Sequence, residues 1–323
     1  YKIPVSLLST YIPIDDPSKF QLWHRGKEVA LISANATEII FYGKKNDGAS
    51  DGLLFRPGPE AKPNAYFSLF SDNGSYILTN SATGKRAGNI DGTSWSGNPE
   101  PYHFQKIIKT FSNQFAFGTL TTDPTPLNNS FYEKQNSWVG NTLKGPGSTS
   151  SNNVDNAFQF TNWVNDASEM PSLEATIIGM NYGNHSLSLS VGKTADDSEH
   201  SSLSSLSFSG IDTRKVIINN IPSSRINSSG GIFRIKSVSP IFETNDWTAL
   251  AYYLITYPQL TDMAVGNAAY FNFKSSALPV HLGITNAPTD VMVYDISDID
   301  TPSAISGNLV TGTYHAAIPR SSN

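Results

Sequence analysis

The stretch LEATIIGMNYGNHSLSLSV, residues Leu173–Val191, decides how the chain is read. Leu187, Leu189 and Val191 alternate with serines, so one face of this run is buried and the other wet, as in a half-buried strand. Leu173–Ile178 is a second apolar run. Between the two, Asn181-Tyr182-Gly183-Asn184 supplies residues that favour tight turns, which predicts a hairpin. Further along, Lys215–Ile221, Ile232–Val238, Leu250–Tyr257, Val280–Ile284 and Val291–Ile296 continue the series. Ala249–Tyr257 (ALAYYLITY) is long enough for two helical turns, but its β-branched and aromatic content and the following Pro258 favour a buried strand. Regularly spaced strands with turn signals between them predict a β-sandwich of jelly-roll type.

Towards the N-terminus the strands shorten and the loops lengthen. Candidate strands are Phe20–Trp23, Glu28–Ser33, Glu38–Tyr42, Tyr66–Phe70, Ser75–Thr79, Gln114–Gly118 and Ala157–Phe160. Within Ile39–Thr79 the clusters Asn46-Asp47-Gly48 and Asp72-Asn73-Gly74 separate apolar runs, which reads as strand, turn, strand, turn, strand. Leu143–Asn156 (LKGPGSTSSNNVDN) has little apolar surface to bury and is read as a long mobile loop. Asn165–Ser168, leading into Pro171, is the expected domain boundary. The predicted fold is therefore all-β, with two β-rich domains: 1–167 with long loops, and 168–323 as a jelly-roll-like sandwich.

Length agrees, since 323 residues suit about two domains of roughly 150 residues each. The chain has no cysteine, which removes disulfides, Cys-ligated zinc and any thiolate nucleophile. Charged residues make up 15%, against about 25% in an average domain. Ser, Asn and Thr supply the polar surface instead, a balance that suits an extracellular β module. A net charge of −5 without a basic stripe argues against nucleic acid as a partner. No apolar run approaches the roughly 20 residues of a transmembrane segment. The chain starts at Tyr1 rather than Met, so targeting and downstream segments are expected to have been removed.

Several residues could carry chemistry or binding. Gly48-Ala49-Ser50-Asp51-Gly52 matches the G-x-S-x-G nucleophile elbow, but Pro57, Pro59 and Pro63 follow where that motif needs a helix, so it is read as a turn. The six histidines show no paired spacing for a shared ion. Asp47 and Asp51 with Asn46, and Asp295 with Asp298 and Asp300, have the oxygen ligands for a structural Ca²⁺, although Asp and Asn are also ordinary turn residues. No other cofactor is expected. Trp95, Tyr102 and Trp138 lie in polar, loop-like surroundings. They would serve either as a glycan-stacking platform or as plugs closing the sandwich ends. A carboxylate-based glycosidase is a further class, but sequence does not give the separation of two acids.

A broader pattern involves Phe20-Gln21-Leu22-Trp23 with Gly26-Lys27-Glu28-Val29, then Phe41-Tyr42-Gly43-Lys44 with Asn46-Asp47-Gly48 and Asp51. Phe55-Arg56-Pro57, Asn64 through Phe70, Pro99-Glu100-Pro101-Tyr102, Ser130-Phe131-Tyr132 and Trp138-Val139-Gly140 continue it. Together these resemble the N-terminal region of the type IX secretion system sortase family, gingipain-related cysteine peptidases of Bacteroidetes cell surfaces. One departure is Gln135-Asn136-Ser137, where the family pattern has an acidic, Gly-containing run. Tyr294-Asp295-Ile296-Ser297-Asp298 resembles the family's segment leading to the peptidase domain. The resemblance implies a non-catalytic scaffold at the cell surface, associated with the outer membrane. Its partners would be a downstream peptidase domain or secretion-system proteins. The alternative is a stand-alone carbohydrate-binding module or adhesin, with glycans as partners.

Overall fold

The computed structural model describes residues 1–80, 83–117, 131–147, 152–240, 246–264, 266, 268–275 and 278–319. The fold is all-β, as expected. Two compact units form, but neither ends near residue 167: one comprises Tyr1–Asn46, Asp72–His103 and Thr261–Asn323, the other Asp47–Ser71 and Phe104–Leu260. Among the described residues no helix is long and apolar enough to cross a membrane.

The second unit is built on eight strands: β1 (Leu143–Lys144), β2 (Asn153–Gln159), β3 (Ser172–Gly179), β4 (Asn184–Gly192), β5 (Ser204–Ser209), β6 (Thr213–Ile218), β7 (Gly230–Ser237) and β8 (Trp247–Gln259). They pair as β1-β8-β3-β6 and β2-β7-β4-β5. Pairing the strands in this nested order across two sheets is the double Greek key of a jelly roll. Strand His103–Thr110 adds to the first sheet beside β8. Inward residues of both sheets share one core, with Leu173, Ala175 and Ile177 from β3 facing Leu187, Leu189 and Val191 from β4.

That packing corrects the predicted hairpin. β3 and β4 do not pair with each other; β3 lies between β6 and β8, and β4 between β5 and β7. The connection Met180–Gly183 arches from one sheet to the other, held by Met180 N–H donating to Trp247 O (2.8 Å) and Gly210 N–H to Gly183 O (2.8 Å). Apolar alternation is the same whether two runs sit side by side or face each other across the roughly 10 Å between sheets. The turn residues were right and the partner was wrong.

Three other expectations change. Leu143–Asn156 is not one loop: β1 opens it and β2 begins at Asn153, where Asp155 faces outward and Val154 and Asn156 turn inward while the backbone of residues 153–157 pairs with Ile232–Lys236 of β7; residues 148–151 lie outside the described residues. Asn165–Pro171 is a crossing between sheets within the second unit, where Val164 N–H donates to Pro258 O and Ile221 N–H to Pro171 O. The jelly roll thus runs from Leu143 to Gln259 rather than over 168–323. β5 escaped the sequence reading because its run is mostly serine, with only Leu206 and Phe208 reaching the core. Of the predicted strand Gln114–Gly118, residues 114–116 form it and Gly118 lies outside the described residues.

A buried polar network ties one end of the sandwich together. His185 on β4 places Nδ1 2.9 Å from Asp246 Oδ1 and Nε2 3.1 Å from Gly210 O. Ser237 and Ser239 donate to the other carboxylate oxygen at 2.5 and 2.6 Å. Burial pushes the Asp246 carboxyl up, but the bonds from His185, Ser237 and Ser239 outweigh it and hold it below the ordinary value. Ser, His and Asp are the residue types of a hydrolytic triad, yet both hydroxyls face the carboxylate and the side chains of His185 and Asp246 are fully buried. The network is structural.

The first unit is made of short three-stranded sheets. Glu38–Phe41 lies between Lys2–Pro4 and Leu31–Ala34, and Phe20–His24 between Lys27–Val29 and Ile77–Asn80. These strands enclose Val5, Phe20, Leu22, Leu31 and Phe41. A second core, around Leu282, Ile284 and Tyr314, involves Val280–Ile284, Thr313–Ile318 and the parallel pair Gly88–Asp91 with Ser303–Ser306.

Candidate functional site

The segment Asp47–Ser71 leaves the first unit and returns to it, and Asn46 N–H donates to Asp72 O (3.0 Å) where its ends meet. The predicted strand Tyr66–Phe70 is absent. Short 3₁₀ turns, Ala49–Leu54 and Pro59–Ala61, take up part of the segment instead. Prolines remove ladder donors here, and side chains satisfy the backbone in place of a neighbouring strand. Buried Asp51 accepts from Leu69 N–H (2.7 Å), Asn64 accepts from Tyr66 N–H (2.9 Å), and Lys62 Nζ donates to Asp47 O (3.1 Å) and Phe67 O (2.8 Å). Gly48 sits at φ 71°, and a Cβ there would lie 2.5 Å from both Lys62 Nζ and Phe67 O, so the loop requires glycine.

These contacts define the two predicted metal ligands. Asp47 caps Ala49 N–H (2.9 Å) and Asp51 caps Leu69 N–H. The carbonyls of this loop converge on the Lys62 ammonium. Asp298 likewise caps Asp300 N–H (2.9 Å) and Thr301 Oγ1 (2.7 Å), and Asp295 caps Ser297 N–H (2.9 Å). Among the described residues, no group of three or more His, Cys, Asp or Glu gathers for an ion. The G-x-S-x-G match does run into a short 3₁₀ helix, contrary to the expectation of a turn without any helix, but Ser50 at its centre is exposed.

Segment 47–71 docks on the sandwich unit through aromatic residues. Arg56 N–H donates to Tyr132 O and Tyr132 N–H to Leu54 O, both at 2.8 Å. Trp138 Nε1 donates to Leu69 O (3.1 Å). Tyr66 meets Tyr252 edge-on at 5.3 Å. Around these anchors the rings of Phe55, Phe70 and Phe115 approach Tyr132, and Phe115 also meets Phe117 and Trp138. Arg56 lies 5.8 Å over Phe131. The outer part of this cluster faces solvent: Leu53 is 74%, Phe70 65% and Phe117 57% exposed. Exposed apolar and aromatic groups of this kind make the surface a candidate for association.

Of the predicted binding residues, Trp138 belongs to this surface. It sits on a strand, Ser137–Val139, paired with Gln114–Ala116, not in a loop. Trp95 and Tyr102 belong to the first unit and have no part in it. Trp95 stacks on His281 and His315, with ring centroids at 5.5 and 5.3 Å. Tyr102 is half-buried just before strand His103–Thr110. Sequence reading missed Phe70, Phe115, Phe117 and Tyr132 as site residues. The spacing Phe115-x-Phe117 was the available signal, since residues two apart on a strand share a face.

No family model matches the chain, and no curated protein matches it. Among solved structures it is similar to dimeric latent PorU from Porphyromonas gingivalis, over 99% of this chain and 29% of that one, at 12% identity and a TM-score of 0.62. The chain thus has a PorU-like fold and spans less than a third of the PorU chain. It is also matched over 51% of its length by the CBM36-1 domain of a multidomain xylanase from the hindgut metagenome of Trinervitermes trinervoides, covering 100% of that chain, at 15% identity and a TM-score of 0.26, too slight a likeness to assign a fold.

Proposed function

We propose that this chain is a non-catalytic β region of a type IX secretion, sortase-like and gingipain-related protein of the cell surface, and that it works as a scaffold for protein partners. The observation that carries this is the PorU-like fold over 99% of the chain. The sequence resemblance points the same way, and several of its residues (Arg56, Phe70, Phe131, Tyr132 and Trp138) belong to the aromatic surface. Aromatic residues and Arg are enriched at the centres of protein interfaces. We assign the surface to a peptidase domain of the same protein.

With no cysteine, the chain has no thiol for a peptidase mechanism. Reading the gene beyond the codon for Asn323 tests the proposal. A domain carrying a Cys/His pair is the expected result, and a stop codon there would overturn it. In the longer protein, hydrogen exchange around Leu53, Leu54 and Phe70 should be slower than in the isolated chain.

A further inference from the structure

Two histidines that are far apart in sequence meet in the first unit. In the antiparallel pair of Val280–Ile284 with Thr313–Ile318, His281 is opposite Ala317 and His315 opposite Gly283. The two imidazoles are therefore diagonal neighbours on one face of the sheet. His281 Nε2 and His315 Nδ1 are 3.0 Å apart. His281 Nδ1 lies 2.9 Å from Gly97 O. A carbonyl only accepts, so His281 carries its proton on Nδ1, and in the neutral ring Nε2 holds a lone pair. His315 then donates from Nδ1. The loop that brings Gly97 into place packs close, and a Cβ on Gly283 would lie 2.8 Å from Pro99. Burial, and then the neighbouring His281, hold His315 below the ordinary imidazole range.

We propose that His281 and His315 form a two-imidazole site for a divalent late transition-metal ion, Cu²⁺ or Zn²⁺, with water in the remaining positions. Metal–nitrogen bonds of about 2.0–2.1 Å place two cis nitrogens roughly 2.9–3.4 Å apart, which brackets the observed gap. The ion replaces the shared proton. His281 binds through Nε2, while its Nδ1–H stays on the backbone carbonyl, the usual second-shell bond of a metal-bound histidine. His315 binds through Nδ1 after its proton moves to Nε2, so both ligands stay neutral and no net proton is released. His281 keeps its place on Gly97 O, and rotation of the half-buried His315 ring turns its Nδ1 lone pair aside so that both nitrogens face a common point. Trp95 stacks on both rings and reports on the site.

The test uses the chain without any histidine tag, titrated with Cu²⁺ and separately with Zn²⁺ by calorimetry. Saturable binding is expected, weakened at least tenfold in both His281→Gln and His315→Gln. Cu²⁺ should quench part of the tryptophan fluorescence, and Trp95→Phe should remove that part while binding persists. Binding of wild-type strength in either histidine variant, or no saturation below millimolar metal, would overturn the site. Should the variants not fold, substoichiometric Cu²⁺ added to the wild-type chain decides by NMR. The imidazole signals of His281 and His315 should broaden first; first broadening at Tyr1, His24 or His200 would sink the proposal.

Discussion

In the jelly roll, backbone donors and acceptors pair along ladders, and side chains are left to fill the core. In segment 47–71, within the same unit, the backbone is held by Asp51, Asn64 and Lys62, while Leu53 and Phe70 remain at the surface. A ladder distributes its hold over many equivalent bonds, so a single surface change costs it little. A segment held by a few side chains fails one bond at a time. The same unit therefore contains a cooperative body and a separately releasable one, and the exposed aromatic surface is shared between them, with Leu53 and Phe70 on the second.

The largest effect should come from removing the buried polar network of the sandwich. Asp246→Ala leaves His185 buried without its carboxylate and should cost about 3–5 kcal/mol of global stability, measured by urea unfolding. A cost near zero would mean that packing alone closes that end. The same carboxyl gives a pH dependence. Its folded pKa lies below its unfolded value, so its contribution is present above the unfolded pKa and is lost as pH falls through the folded one. Asp246→Ala should flatten the acid limb of the stability curve.

Next, Asp51→Ala removes a charged acceptor from Leu69 N–H, a bond of about 1.5–3 kcal/mol. The loss should be local. Limited proteolysis is expected to cut within 47–71 while the urea midpoint of the sandwich hardly moves. A global shift as large as that of Asp246→Ala would abolish the distinction between the two regions.

The legibility of the two regions follows from the same physics. Alternation at Leu187, Leu189 and Val191 and the apolar run at Leu250–Tyr257 survive in the structure as strands because a ladder needs only a period of two. Which strand pairs with which is not encoded in that period, hence the arch where a hairpin was expected. The division into units was harder still to read, since each unit collects segments distant in sequence. In Tyr66–Phe70, high β-propensity was overridden by Asn64, Ser68 and Asp51, polar residues whose partners lie along or beyond the segment. Trp138 was legible as a candidate because tryptophan is rare and conspicuous. The His281–His315 contact depends on strand register and left no local spacing to find.

Two smaller effects sharpen the comparison. Chelation with EDTA should leave the melting temperature unchanged, because Asp47 O is already held by the Lys62 ammonium and the Asp47 and Asp51 carboxylates by backbone N–H groups. A clear drop would restore calcium to Asp47 and Asp51. Phe70→Ser with Phe117→Ser should change stability by no more than about 0.5 kcal/mol, as exposed positions do. If the proposed peptidase domain follows, the same pair should loosen its contact with this surface, and slower exchange at Leu53 should be lost. Strong destabilisation would show that these rings are core residues.

The two units also differ in when they can be completed during synthesis. All eight jelly-roll strands are present once the chain has grown to Gln259. The first unit begins earlier and finishes later: Ser303–Ser306 must return to pair in parallel with Gly88–Asp91, and Ala30 N–H waits for Asp300 O. That return closes a loop of roughly 200 residues, whose entropic cost grows only with the logarithm of its length once a folded body shortens the effective path. A nascent chain would thus carry a finished middle and an incomplete first unit, with Gly88–Asp91 lacking its parallel partner Ser303–Ser306 until the last segment arrives.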